Sequence, residues 1–400
     1  TRSGSIRPLS TSWSNVCVNA LTLIDLLEIP RQVFPMKLKR NSSMSNSYLL
    51  FFLMVCTFST GEVRADLRLY LANRHDDSLM RFDMDETSGE LTLRQTLKLE
   101  GEPAPMCISP DKHTLYVARR KAEKVSAFSI SPKDGSLKLI AETSIPGEGG
   151  ACYLSTDRSG KFLLSAYYSE GKVAVHKLSE NGSVNEGAIQ TIATEKNAHC
   201  ILPNHRNRLV LVPHTGPNSV YQFLLDGKTG KLSPAKPAKY VPEKKLSPRH
   251  VAYHPGGKFV YVVNEGSSSV TACRLKGDSI QPVHTLSTLP ADFKERNSCA
   301  DVEVHPSGKF LYCSNRGHDS VAMFAIDQKT GRLTSLGQVH TEKVPRSFNV
   351  DPTGKFLVAA GLRANKLTVF RIDQGAGKLK SLKTYDVGKG PTWVQILKQD

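Results

Sequence analysis

A chain of 400 residues with 39% hydrophobic content can bury a large core, yet is not so long that it must divide into two domains. Its formal charge of +16 favours anionic partners, but Lys and Arg are scattered through polar turns with no helical basic stripe and no aromatic-basic stacking module, so nucleic acid is not expected. None of the eight cysteines lies in a CxxC pair or near a His at zinc spacing, so neither a metal site nor another cofactor is expected.

From the start of the chain through Gln32 there is neither a repeat nor a domain pattern. From Met36 the order is basic (Lys37-Leu38-Lys39-Arg40), then apolar (Tyr48 through Cys56), then small, ending at Val63-Arg64-Ala65. That order reads as an export signal cleaved near Ala65, with translation from Met36 or Met44. The expectation is a leader over 1–65, a domain over 66–400 and an exported protein, periplasmic or extracellular. The apolar run is too short to span a bilayer and no later run is longer, so no membrane span is expected. The leader holds seven Lys/Arg against three Asp/Glu, which leaves 46 basic and 34 acidic side chains, or +12, on the rest. Cys107, Cys152, Cys200, Cys273, Cys299 and Cys313 remain. Several sit within apolar strand patterns and read as small buried thiols, although an oxidising compartment leaves pairing open.

Beyond the leader, one apolar strand pattern recurs seven times: Leu69–Asn73, Leu115–Arg119, Leu163–Tyr167, Leu209–Pro213, Val260–Asn264, Leu311–Asn315 and Leu357–Gly361. The spacing of about 46 to 51 residues suits one four-stranded propeller blade per copy. Tight turns precede the copies, as Pro255-Gly256-Gly257-Lys258, Pro306-Ser307-Gly308-Lys309 and Pro352-Thr353-Gly354-Lys355, with a weaker version at Arg206-Asn207-Arg208. A second family of turns follows them, as Thr87-Ser88-Gly89-Glu90, Thr229-Gly230-Lys231 and Thr330-Gly331-Arg332. The chain opens on a second-type strand at Leu69 and closes on a first-type strand, Pro391 to Ile396, with nothing after it to pair. The fold class is therefore all-β: a seven-bladed β-propeller with one blade shared by the N- and C-terminal strands.

In an antiparallel hairpin, the residue leading into the first strand and the residue leaving the second lie at the same end, so these positions ring one mouth of the channel. The lead-in positions hold Ala104, Ala300 and Thr392 in some copies but His199, Arg249 and Arg346 in others. The leaving positions hold Arg74, Arg120, Tyr168, His214, Glu265, Arg316 and Leu362. His199, Arg249, Glu265 and Arg316, from successive blades, thus converge as a base, a carboxylate and two guanidinium groups. Two uses compete: an ion-pair ring of Arg249, Glu265 and Arg316 that holds blades together, or an anion site with a proton-transfer group.

These residues carry a resemblance. Asn197-Ala198-His199-Cys200, Ser247-Pro248-Arg249-His250-Val251-Ala252-Tyr253-His254-Pro255, Val262-Val263-Asn264-Glu265 and Cys313-Ser314-Asn315-Arg316-Gly317-His318-Asp319-Ser320 resemble the seven-bladed β-propeller lactonase family. That family includes bacterial 6-phosphogluconolactonases and fungal carboxy-muconate lactonising enzymes. The likeness runs from about Leu67 to Ile396 and departs at Asn197-Ala198 and at Arg206-Asn207-Arg208. It implies a metal-free site on the propeller axis that opens or closes a lactone, with His199 and Glu265 in proton transfer and Arg249, Arg316 and Arg346 binding the acid.

The residue types suit that chemistry. An imidazole or carboxylate can activate water, one guanidinium can stabilise an oxyanion, and another can clamp a phosphate or carboxylate. The expected function is hydrolysis of a sugar-acid lactone by a monomer, with 6-phosphoglucono-1,5-lactone as the substrate the resemblance suggests. Export argues instead for an unphosphorylated lactone. The alternatives are a muconate-type lactonising cycloisomerase and a secreted non-catalytic binding scaffold; a charged sector that does not repeat favours an enzyme over the scaffold.

Overall fold

The computed structural model describes residues 67–399, so the leader expected over 1–65 lies outside the described residues. Every regular element described is a β-strand, and the strands form seven four-stranded antiparallel sheets. No helix among the described residues is long and apolar enough to cross a membrane.

The seven repeated segments are the second strands of the blades. Strands such as Phe259–Asn264, Phe310–Asn315 and Phe356–Gly361 are buried at every position, because each face packs against a neighbouring sheet. This double burial explains why the copies read as continuous apolar runs instead of alternating ones. Outer strands such as Leu91–Lys98 and Leu379–Asp386 are largely exposed. The core is a series of apolar layers between adjacent blades; one joins Phe259, Tyr261 and Val263 to Leu311, Cys313 and Phe324. All six cysteines of the described residues are free, and five are buried.

Closure follows the expected course. The C-terminal strand Pro391–Lys398 pairs with Leu67–Asn73 as the inner strand of the first blade, in the order inner, second, third, outer. Val394 and Ile396 thereby enter the same apolar layer as Leu69 and Leu71.

The two families of turns act together across blade boundaries. At Gly331 (φ 75°), in an outer turn, a Cβ atom would lie 2.4 Å from the Phe259 ring of the preceding blade. Gly89, Gly230 and Gly377 press in the same way on Phe356, Phe162 and Phe310. Only glycine permits both this approach and the left-handed backbone. Tyr70, Tyr261 and Tyr312 then donate to the carbonyls of Gly135, Gly331 and Gly377 at 2.8, 3.3 and 3.0 Å.

The fourth copy is displaced by one residue from the sequence reading. His214, not Pro213, is the last residue of its second strand and pairs with Ser219, as Asn264 pairs with Ser269 and Asn315 with Ser320. His214 is therefore a buried ladder residue, held by the Val212 carbonyl and by Thr194 Oγ1, both at 2.9 Å, and the leaving position belongs to Thr215. The displacement has a local cause. Leu209 occupies the place filled by Phe162, Phe259, Phe310 and Phe356 elsewhere, and Asn204 opens the turn by accepting from the Arg208 and Leu209 amides.

Candidate active site

Six of the seven inner strands meet their partners with a shift of register at the mouth of the channel. The shift falls between Pro248 and His250, between Cys299 and Val302, and between Pro345 and Ser347, with counterparts in blades one, two and three. Left out of the pairing is the lead-in residue, Cys152, Arg249, Arg346 or Thr392, or the lead-in with its successor, Ala104-Pro105 and Ala300-Asp301. In blade four His199 follows the bridge between Ala198 and His214 at the same place. Such a bulge bends the strand and re-aims the extra side chain.

Arg249 is the largest fully buried side chain among the described residues, 1% exposed. Its Nε lies 3.2 Å from Glu265 Oε2, and its Nη1 donates to the Ala300 carbonyl of the next blade. Arg316 Nη2 lies 2.9 Å from Glu265 Oε1 and donates to the Cys299 carbonyl at 2.8 Å. Glu265 thus bridges two guanidinium groups that are both anchored on blade six. Burial alone would raise its pKa, but Arg249 and Arg316 outweigh it and hold the carboxyl below its usual range.

Arg346 lies in the same electrostatic neighbourhood and has no hydrogen bond or salt bridge to another group among the described residues. Burial first, then the cations of Arg249, Arg316 and Arg120, push its pKa down to about 9; Arg249 falls to about 10, through burial and then Arg316. Arg249, Arg316 and Arg346 therefore outnumber the carboxylates beside them, Glu265 and Asp301.

His199 is buried and stacks edge-on against His250 and Tyr168, with ring centroids 5.1 and 5.3 Å apart. Its Nδ1 has no hydrogen-bond partner among the described groups. Burial, followed by the charges of Arg249, His250 and Arg346, drives its pKa far below the ordinary range, so the ring is neutral. No hydrogen bond joins His199 to Glu265; each contacts the consecutive pair Arg249-His250.

The sequence reading did not single out His250 or Asp301. His250 Nδ1 lies 2.8 Å from Asp301 Oδ1, and the ring packs edge-on against Tyr153 at 5.2 Å. Both residues occupy the position one past the lead-in, which reads Pro105, Tyr153, Cys200, His250, Asp301, Ser347 and Trp393 around the ring. A His and an Asp stand side by side in that second ring, and comparing the seven copies at that position would have revealed them. Below the rim, the inner strands enclose an axial cavity of about 270 Å³ whose lining includes Tyr153, Asp301, Glu303, Asn349, Trp393 and Gln395. Glu303, bonded by Asn349 Nδ2 at 2.6 Å and the Val350 amide at 2.7 Å, has its pKa raised to about 8 by burial and by Asp301.

The family model for the seven-bladed β-propeller lactonases matches residues 68–396. The chain belongs to that family. Among curated relatives, the lactonase-family chain is 37% identical over 314 residues to a 6-phosphogluconolactonase of Pectobacterium carotovorum, covering 78% of this chain and 93% of the relative. It is 35% identical over 312 residues to a 6-phosphogluconolactonase of Enterobacter, with the same coverage. Of solved structures, a putative 6-phosphogluconolactonase from Bacteroides fragilis superposes with a TM-score of 0.77 at 24% identity, over 84% of this chain and 99% of that one. A periplasmic gluconolactonase from Pseudomonas aeruginosa gives 0.76 at 22% identity, over 83% and 99%. The expected enzyme class, a lactone hydrolase similar to 6-phosphogluconolactonases, stands with this family.

Proposed function

We propose that this lactonase-family chain hydrolyses a sugar-acid lactone at the axial rim, using arginines instead of a metal as the electrophilic groups. The observation that carries the reading is the imbalance of charge, three guanidinium groups gathered around two carboxylates, Glu265 and Asp301. A ring built only to hold blades together would be closer to neutral, because unpaired buried cations cost stability. Arg346, the guanidinium without a partner, binds the anionic or most electron-rich part of the substrate, assisted by Arg316. Arg249, fixed by Glu265 and the Ala300 carbonyl, offers its remaining N–H groups to the oxyanion that forms when water attacks the lactone carbonyl. Glu265 is better suited to orienting arginines than to accepting a proton, because two cations keep it ionised and weakly basic. Proton transfer then falls to an imidazole of the cluster, with His199 the candidate drawn from the sequence.

The test is hydrolysis of 6-phosphoglucono-1,5-lactone and glucono-1,5-lactone by the purified chain, each set against the uncatalysed rate. Acceleration of either supports the reading, and their ratio reports whether a phosphate is required. If Glu265→Gln combined with Arg249→Ala turns over as fast as the unaltered chain, the site has been misplaced.

A further inference from the structure

We infer that His250, oriented by Asp301, is the group that takes the proton from the attacking water, and that Asp301 is its positioning residue. The inference rests on the lactone-hydrolase reading above and assigns one step within it. The geometry distinguishes the two imidazoles of the cluster. His250 Nδ1 is hydrogen-bonded to a carboxylate at 2.8 Å, which fixes the proton on Nδ1 and leaves a lone pair on Nε2. That Nε2 is buried and has no partner among the described groups, an unsatisfied arrangement that a further molecule would complete. The ring is held in place by Tyr153 and Trp393, with centroids 5.2 and 6.2 Å away. His199 has no carboxylate behind it, and its surroundings are cationic. An imidazolium formed there would be repelled, whereas one formed at His250 would lie against Asp301.

Asp301, the partner of His250, lines the axial cavity, and the attacking water of the proposed step is drawn from that side. In the step, the water oxygen bonds to the lactone carbonyl carbon as its proton passes to His250 Nε2. When the tetrahedral adduct collapses, the ring C–O bond breaks and the departing ring oxygen takes that proton back. Lactone and water become hydroxy acid, and the imidazole is restored. The charged and titratable groups that face His250 are Arg249 on its own strand, Asp301 on Cys299–Val304, Arg346 on Pro345–Val350, Tyr153 on Ala151–Thr156 and, from blade four, His199. Burial is the largest influence on its pKa and, with Arg249, Asp301 and Arg346, places it at about 4, so the ring is a neutral acceptor at physiological pH.

The experiment compares kcat/KM against pH for the purified chain, His250→Gln and Asp301→Asn, with circular dichroism on each variant. His250→Gln is expected to lose about 10²- to 10⁴-fold in kcat, the usual contribution of a general base, with KM little changed. Asp301→Asn is expected to lower kcat and to move the acid limb, near pH 4 in the unaltered chain, to lower pH, because the anion that favours the imidazolium is gone. A folded His250→Gln within threefold of the unaltered kcat overturns the assignment. Should that variant not fold, an unmoved acid limb in Asp301→Asn overturns it instead. No acceleration by the unaltered chain would defeat the hydrolase reading itself, a result distinct from either of these.

Discussion

Arg346 is where binding and stability part company. It adds a third cation beside Arg249 and Arg316 and forms no ion pair of its own, so Arg346→Ala should leave the melting temperature unchanged or higher. The same substitution should raise KM about 10- to 100-fold, the loss expected for a hydrogen bond to a charged group. A fall in melting temperature without a change in KM would return these arginines to a purely structural role. Glu303 makes the opposite kind of statement. Its folded pKa of about 8 lies above the unfolded value, so its contribution to stability is complete below about pH 4.5 and is lost as pH rises through 8. Urea melts between pH 5 and pH 8 should show the stability of the unaltered chain declining relative to that of Glu303→Gln, whatever the variant's own baseline.

The second strands were legible in the sequence because burial on both faces leaves a continuous apolar run, and the turns between them need residues of special conformation. What escaped was register and pairing across blades. In the fourth blade, Leu209 replaces the aromatic residue that marks the strand start in its neighbours, and the polar His214 looks like a rim residue although it bonds within the ladder. The convergence of Arg249, Glu265 and Arg316 followed from hairpin geometry, whereas the Asp301–His250 pair joins residues 51 positions apart on adjacent blades, and no local motif announces it. The glycine contacts are a property of these elements that can be tested directly. Gly331→Ala should cost about 1–3 kcal/mol, since it strains the left-handed backbone and drives a methyl group into Phe259; thermal melting would measure it.

Viewed as a whole, the ring depends on its last strand. Removing residues 391–400 would leave Leu67–Asn73 unpaired along one edge and take Val394 and Ile396 out of the apolar layer they share with Leu69. The truncated chain is expected to lose cooperative unfolding and soluble yield, and a folded, soluble product with a sharp melting transition would show that closure is dispensable. Cleavage near Ala65 remains our proposal for the other end, and N-terminal sequencing of exported material should begin close to Asp66.

The register shift repeated at the channel mouth has a consequence for how such a molecule can change. In six of the seven blades the lead-in side chain there hangs from a residue outside the ladder, so its identity is nearly uncoupled from the hydrogen bonds that hold the blade. Chemistry at the mouth can therefore be rewritten a residue at a time, cationic here and small there, while the scaffold beneath goes on folding unaware of the edit.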